Sequence, residues 1–596
     1  MKILLISPGS PDEIDNKIIR EIPYFSCKAF IAPHAVASVA ALTPIEHDVE
    51  IHDEYIRGSV EDFLPNKKFD IIGVTFISNQ LQRCLNIVKA CKEFCPSAIV
   101  VVGGIGVEML VNKHKEHIDI VFHGEAEETW PRFLEDFKNG TFEKVYKNVI
   151  KPDMSKAPPP RWELIRDDIK FYNSVSVQTT RGCPFDCSFC DVIYTYGRKP
   201  RSKTIEQVLE EIKRLNDLKV PLVFIADDNF AGDKKYVKEL LRRLITLNNS
   251  FKIPMGFYTQ LDITIAQDEE LLNLLAEANF NVLMIGIESI NPDSLKDMNK
   301  KQNIDISAAE AINKIQSYGM VVLAHMIIGA DSDSKDVFKQ TADFIQKNNV
   351  IFHICHPLAA PPGTKMWYEY KRQGRLVTTE NAAAFDKVDI ITNIIPKQMS
   401  RIELFEGLAD YWTDIYKPEK FAERAIGFLK GINYVQKVKP SGMRVFWHNR
   451  KMIFRVFNFY MFKAEKFHRK NISNIINPFK KDLGNMMQRI IFIYTFYLMD
   501  YKRSAYDAAM ARDLAKWERE NPELIKQDSS ITPISDNIRQ NATILIKEAF
   551  KQIREKTGNQ EIIYKTVLAV ILEFSDRFGD SFQNFDDFYI EQIKES

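Results

Sequence analysis

"RGCPFDCSFCDVIYTYGR", Arg181 to Arg198, puts three of the chain's eight cysteines within eight residues. Their spacing is C-x3-C-x2-C, at Cys183, Cys187 and Cys190. Gly182 and Pro184 let such a loop fold around one centre, so the three thiols can converge. A structural zinc site takes four protein ligands, often as two C-x2-C pairs, and no second pair exists here. A three-cysteine zinc site would need a distant histidine, such as His325, His353 or His356. A cubane iron–sulfur cluster also takes four thiolates as a rule. Held by three, it keeps one iron open to a substrate or cofactor. Cys27, Cys84, Cys91, Cys95 and Cys355 show no such pattern and read as core thiols.

The neighbourhood of the cluster is a strand–helix series. Strands are expected at 174–180, 221–228, 255–260, 281–289, 319–330 and 351–360. Amphipathic helices separate them, as at Thr204–Leu218 and Asp233–Leu247. Six such units in about 220 residues suit a partial or full βα barrel, whose chemistry sits at the strands' carboxyl ends. The cysteines follow the first strand, at that end.

Residues 1–150 alternate strands and helices in a second series, with buried strands at "KILLISP", "FDIIGVTFIS", "AIVVVGGIG" and "IDIVFHGEAEETW". Apolar runs of this kind form a parallel sheet covered on both faces. Its ligands bind beyond the strands' carboxyl ends. "KPDMSKAPPPRWELI" (151–165) carries three consecutive prolines and reads as an extended linker. The expected division is a Rossmann-like domain at 1–150, a linker at 151–170, a barrel at 171–400, a basic aromatic helical region at 401–505 and a helical extension at 506–596. The fold class is α/β.

Lys plus Arg and Asp plus Glu both number 80, so the whole chain has no electrostatic bias toward nucleic acid. The start, "MKILLISPGSPDE", lacks the apolar run of a signal peptide, and no window reaches the ~18 apolar residues of a membrane span. A cytoplasmic protein is expected. The balance hides a local excess: residues 431–503 hold fifteen Lys and Arg against three Asp and Glu, mixed with aromatics. Two readings stay open for "RVFWHNRKMIFRVFNFYMFKAEKFHRK" (444–470) and "RIIFIYTFYLMDYKR" (489–503). They lie peripherally in an anionic headgroup layer, on the inner membrane face, or they pack their aromatics on the barrel.

The C-x3-C-x2-C motif with Phe189 before its last cysteine, after the first strand of a βα barrel, resembles the radical S-adenosylmethionine (SAM) superfamily. The resemblance implies a [4Fe-4S] cluster on Cys183, Cys187 and Cys190 whose open iron binds SAM. Around SAM it implies Phe189, the "FIADDNF" aspartates Asp227 and Asp228 at the ammonium, Glu288 of "GIES" at a ribose hydroxyl, and the "HMIIGADSDS" segment with His325 near adenine. A Rossmann-like domain ahead of the barrel resembles the cobalamin-dependent class. That implies corrin contacts from "GVTFISNQ" (Thr75, Ser78, Gln80), "VVGGIG" (Gly103, Gly104) and "HGEAEETW" (Gly124, Glu125). The chain lacks Asp-x-His-x-x-Gly, so no histidine is expected beneath cobalt.

The stretches "RGCPFDCSFCDVIYTYGRKPRSKTIEQVLEEI", "ADDNFAGDKKYVKELL" and "APPGTKMWYEYKRQGRL" are similar to a subgroup that includes the hopanoid C-2 methylases. The implied activity is methylation of an unactivated carbon of a small, lipid-like substrate. It would run through a 5'-deoxyadenosyl radical and methylcobalamin, with an electron donor such as flavodoxin or ferredoxin. Cyclisation, rearrangement or oxidation by the same radical is the alternative reaction, and a non-catalytic corrinoid carrier the alternative class.

Overall fold

The structure, a computed structural model, describes residues 1–9, 14–22, 27–110, 117–148, 150–378, 392–434 and 464–522, with short stretches at 454–455, 458–459, 462 and 526–528. Most of the 444–470 segment and of the 506–596 extension lies outside the described residues.

Strands β1 (Lys2–Ser7), β2 (Ala29–Ile31), β3 (Asp48–Asp53), β4 (Ile71–Thr75), β5 (Ile99–Gly103), β6 (Ile120–His123) and β7 (Val145–Lys147) come from the first 150 residues. Six of them form one all-parallel sheet in the order β3-β1-β4-β5-β6-β7. Its central strands are apolar throughout because both faces are covered: Ile3, Leu4, Leu5 and Ile6 are all buried. The sequence pattern misses β3, "DVEIHD", because two of its polar residues, His52 and Asp53, are buried, bonded to Gly58 O and to the Tyr172 hydroxyl.

The second sheet uses β8 (Tyr172–Val177), β11 (Leu222–Ile225), β12 (Gly256–Leu261), β13 (Phe280–Glu288), β14 (Val321–Ile328) and β15 (Phe352–Pro357). The pair β9 (Thr180–Arg181) and β10 (Arg201–Ser202) makes a small antiparallel ladder beside it. The order β15-β14-β13-β12-β11-β8-β2 is all parallel and sequential from β8 onward, so the sheet curls as an open half-barrel. All six expected strands are present. The seventh is a difference: β2 leaves the first 150 residues to pair with β8, Ala29 opposite Tyr172 and Ile31 opposite Ser174. The helix after β10 begins on a capping box. Thr204 accepts from Gln207 N, and the Gln207 side chain returns the bond, opening the helix Ile205–Asp217.

The proline-rich segment is not a free extended linker. It folds into short 3-10 turns at Met154–Lys156, Trp162–Ile165 and Ile169–Phe171. Trp162 and Ile165 are buried in the main core, and Arg161 N bonds Ala37 O. The prolines exclude helix and strand, but the apolar residues after them still seek burial.

The long helix Leu483–Glu520 closes the amino end of the half-barrel. Its Ile490, Ile493, Tyr494, Tyr497, Leu498 and Met499 share a core with Val321, Ile351 and Phe352 at the starts of β14 and β15. Burial of such side chains stabilises by roughly 1.5–3 kcal/mol each. The 489–503 segment therefore buries these residues on the protein. Among the described residues no helix is long and apolar enough to cross a membrane.

Candidate functional site

The cysteine loop leaves the carboxyl end of β8 and is pinned on every side. Gly182 N donates to Asp228 Oδ2 at 2.7 Å, and Cys183 N donates to Gly197 O at 3.2 Å. Gly182 sits at φ +98°, and a Cβ there would lie 2.7 Å from Gly197 O, so the turn accepts only glycine. Further along, Ser188 N bonds Met298 O and Met366 N bonds Ser188 O, both at 3.0 Å. Asn299 Nδ2 donates to Asp186 O at 2.5 Å. The turn after β13, Met298–Gln302, is thus the platform on which the loop rests.

Burial pushes the Cys183 and Cys190 thiols up, Cys190 to about 12, with neighbouring thiols adding to each. Two reluctant thiols beside a third suit a cation that displaces their protons on binding. Among the described residues no three His, Cys, Asp or Glu are grouped to hold a single metal ion.

Two residues that the motif reading misses lie beside the thiols. Gln302 Nε2 donates to Cys187 Sγ at 3.5 Å. Lys300 Nζ bonds Glu288 Oε1 at 2.8 Å and stands 6.0 Å from the Phe189 ring centroid. Burial works against its charge, but Glu288 and the Cys187 and Cys190 sulfurs together hold the Lys300 ammonium above its usual range. The signal is present in sequence as Lys300 of "MNKKQ", twelve residues after Glu288, but the pairing depends on a strand irregularity. Register shifts between Gly286 and Glu288, and Glu288 takes φ +62°, which turns its side chain toward Lys300.

The two aspartates differ. Asp227 is 1 % exposed, and both its oxygens are engaged, by Thr179 N, Thr179 Oγ1 and Thr180 Oγ1. It ties β8 to β11. Among the described residues Asp228 uses only Oδ2, on Gly182; burial first, then Asp227, raises its carboxyl to about 6 against the pull of that N–H. His325, on β14 opposite Gly286, has an unpartnered Nε2 among the described residues. Burial lowers it to about 4, so it is neutral at pH 7. Phe189 packs on the apolar cluster around Met298 and Met366.

At the first sheet's carboxyl end, Thr75 and Gly103 close β4 and β5, and Ser78 and Gln80 form the 3-10 turn after β4. Gln80 Nε2 reaches Pro8 O at 3.0 Å and its Oε1 accepts from Ile77 N, which fixes the loop. Gly104 is required within the protein: it has φ +99°, and a Cβ would lie 2.6 Å from Phe76 O. At Gly103 a Cβ would meet only Phe122 Cβ, at 3.5 Å. Gly124 has φ +83° with no atom nearer than Asn148 Oδ1 at 3.5 Å. Ile77 and Ile105, 45 % and 50 % exposed, stand on these loops. Open glycine backbone flanked by exposed apolar side chains fits a broad, largely apolar ring ligand such as a corrin.

Glu125 does something else. Its buried carboxylate accepts from Arg181 Nη1 at 2.5 Å and from Arg201 Nη2 at 2.8 Å, and Glu127 pairs with Arg181 at 2.7 Å. The loop after β6 is thereby bolted to β9 and β10, two residues from Cys183. Glu125→Ala leaves Arg201 with the carbonyls of Pro152 and Tyr196, and Arg181 with Glu127. The expected loss is about 1.5–3 kcal/mol, that of a hydrogen bond to a charged group, read as a lowered urea midpoint. Glu125→Gln is expected to lose less.

Comparison with known proteins agrees with this geometry. Residues 177–345 match the Radical SAM superfamily, and residues 364–507 match a domain of unknown function, DUF4070. An uncharacterized methyltransferase of Synechocystis is 31% identical over 429 residues, covering 71% of this chain and 78% of the relative. The hopanoid C-2 methylase of Rhodopseudomonas palustris is 29% identical over 358 residues, 59% of this chain and 67% of its own. The solved radical SAM methyltransferase TsrM from Kitasatospora setae, with cobalamin and a [4Fe-4S] cluster bound, shares the fold at TM-score 0.55 and 16% identity, covering 76% of this chain and 99% of that one. A two-sheet α/β protein with a three-thiol loop at a half-barrel's carboxyl end defines the class. The chain belongs to the radical SAM superfamily and is an enzyme of the methyltransferase kind.

Proposed function

We propose that this enzyme methylates an unactivated carbon of a small, lipid-like molecule, with Cys183, Cys187 and Cys190 holding a [4Fe-4S] cluster and the first sheet's loops holding cobalamin. The observation that carries this reading is the Glu125–Arg181–Arg201 junction, which ties the loop after β6 to the cysteine loop. Two faces suited to two cofactors are thus held in fixed register. When bound, the cluster and the corrinoid supply the one-electron and methyl-transfer chemistry.

The chain's own residues do the rest. Asp228, with Oδ1 unengaged among the described residues, is the partner for an ammonium; Asp227, fully engaged in joining two strands, is not. Lys300 is the partner for a carboxylate, since it is the buried cation beside the thiols. Glu288 offers its second oxygen to a hydroxyl. Neutral His325 orients a hydrogen-bonding group rather than donating a proton as an acid. Phe189 and the apolar cluster beneath it exclude water. The name of the Rhodopseudomonas relative motivates a lipid-like substrate.

The test supplies anaerobic, cluster-loaded protein with hydroxocobalamin, a strong reductant, methyl-labelled SAM and a lipid extract of the host. Labelled lipid together with 5'-deoxyadenosine is the expected result. 5'-Deoxyadenosine with a modified but unlabelled product would replace methylation with rearrangement or oxidation.

A further inference from the structure

The turn that carries Gln302 meets the cysteine loop at three consecutive residues. Asn299 Nδ2 donates to Asp186 O at 2.5 Å, Gln302 Nε2 donates to Cys187 Sγ at 3.5 Å, and Ser188 N donates to Met298 O at 3.0 Å. The turn is itself anchored. Asn303, 4 % exposed, donates through Nδ2 to Gly286 O and to Ile287 O, each at 2.9 Å, at the end of β13. The loop is therefore fixed on both sides of Cys187 by contacts in which Gln302 takes no part. Removing the Gln302 amide releases none of them. Its bond to the sulfur is surplus to the fold, so its effect falls on the sulfur.

Cys187 differs from the other two cysteines in its donor. Backbone amides, those of Phe185 and Val192, favour the thiolates of Cys183 and Cys190. Those amides come with the loop whatever its side chains. At Cys187 the donor is a side chain, the one such donor to the three sulfurs among the described residues. A thiolate has no proton to give, so against it the amide presents its N–H and not its oxygen. Cys187 is buried, and in a low-dielectric setting such a bond acts more strongly than in water. The Lys300 charge also acts on Cys187, but Glu288, 2.8 Å from the ammonium, offsets much of it. The neutral amide of Gln302 has no such counterweight.

We propose that Gln302 sets the reduction potential of the cluster through the hydrogen bond it donates to the Cys187 sulfur. The inference rests on the three-cysteine cluster reading above and adds to it the side chain that tunes entry of the electron. Hydrogen bonds to the sulfurs are among the levers that set such potentials. The sulfur gains negative charge when an external one-electron donor reduces the cluster. An N–H aimed at it then binds more tightly, because hydrogen bonds to ionised acceptors are the stronger ones. The bond thus favours the reduced form and raises the potential. Gln302 acts through Cys187, so its role is to tune and not to react.

The experiment uses full-length protein, reconstituted anaerobically with excess iron and sulfide and kept free of SAM. It is poised at a graded series of potentials, and the reduced cluster is followed by its paramagnetic signal. Gln302→Leu keeps most of the side chain's bulk and removes the donor. The expected result is iron content as in the parent and a reduced-to-oxidised ratio about tenfold lower at the parent's midpoint. For one electron that is a shift of about 59 mV to more negative potential. Gln302→Glu matches the amide in shape, replaces the donor with a repelling carboxylate, and is expected to shift further in the same direction. It gives the same reading should the leucine variant load too little iron. With a reductant poised near the parent's midpoint, Gln302→Leu should form 5'-deoxyadenosine at least tenfold more slowly than the parent, and a much stronger reductant should close the gap. A side chain that only held the loop would leave the midpoint in place and slow both reactions alike. Equal midpoints in the fully loaded parent and both variants overturn this inference alone. A parent that takes up no four-iron cluster overturns the cluster reading and this inference with it.

Discussion

Cys187→Ala is expected to abolish SAM cleavage. The other two thiols cannot make up the loss, because Cys187 has its own supports: Gln302 Nε2 donates to its sulfur and Lys300 stands beside it. Loss of an outer partner of a metal ligand costs about 10–100-fold in affinity or activity, and loss of the ligand itself costs more. The purified variant should contain far less iron and sulfide than the parent after reconstitution. Its reduced form should lack the cluster's paramagnetic signal, and 5'-deoxyadenosine should fall to background. Folding should survive, since the loop is fixed through Gly182, Cys183 N, Ser188 and Asn299 rather than through the thiols. A variant that keeps full iron and still forms 5'-deoxyadenosine would remove the cluster assignment altogether.

The motifs were legible because each is local. Cys183, Cys187 and Cys190 lie on one loop, and the six strands of the half-barrel each carry an apolar run of the right length. Helix starts were equally local, with Thr204 capping its own third residue. What stayed hidden depends on long-range pairing. Glu125 reads as one more acid after a glycine; its buried bridge to Arg181 and Arg201 spans 56 and 76 residues. Ala29–Ile31 is too short and too ordinary to announce that it joins the other sheet. Asp227 and Asp228 are adjacent and chemically identical, and only the positions of Thr179, Thr180 and Gly182 set them apart. The 489–503 segment had the composition of a membrane-surface helix, because an aromatic face looks the same whether lipid or a barrel floor covers it. Its buried tyrosines, Tyr494 and Tyr497, bond His468 O and Tyr416 O within the protein.

Lys300→Met should show two separable effects. The first is on stability. Lys300 and Glu288 are both buried, with side chains 10% and 8% exposed, and their 2.8 Å contact is the carboxylate's partner. Gly286 makes room for the pair, since a Cβ there would lie 2.6 Å from Glu288 Oε1 and 2.8 Å from Lys300 Nζ. Methionine fills the lysine stem's space but leaves the carboxylate without its cation. Breaking one side of a buried pair costs about 3–5 kcal/mol, mostly the penalty of the stranded charge. Removing that charge as well, in Lys300→Met with Glu288→Gln, should restore most of the loss in urea unfolding. The second effect is on SAM. If Lys300 is the carboxylate's partner, the double variant regains stability but binds SAM at least tenfold more weakly than Glu288→Gln alone by equilibrium dialysis. If the pair serves packing alone, the double variant and Glu288→Gln bind SAM alike. Lys300→Arg separates charge from shape: the guanidinium keeps the positive charge but is too broad for the space above Gly286. It should therefore bind SAM better than the methionine variant, yet unfold earlier than the parent.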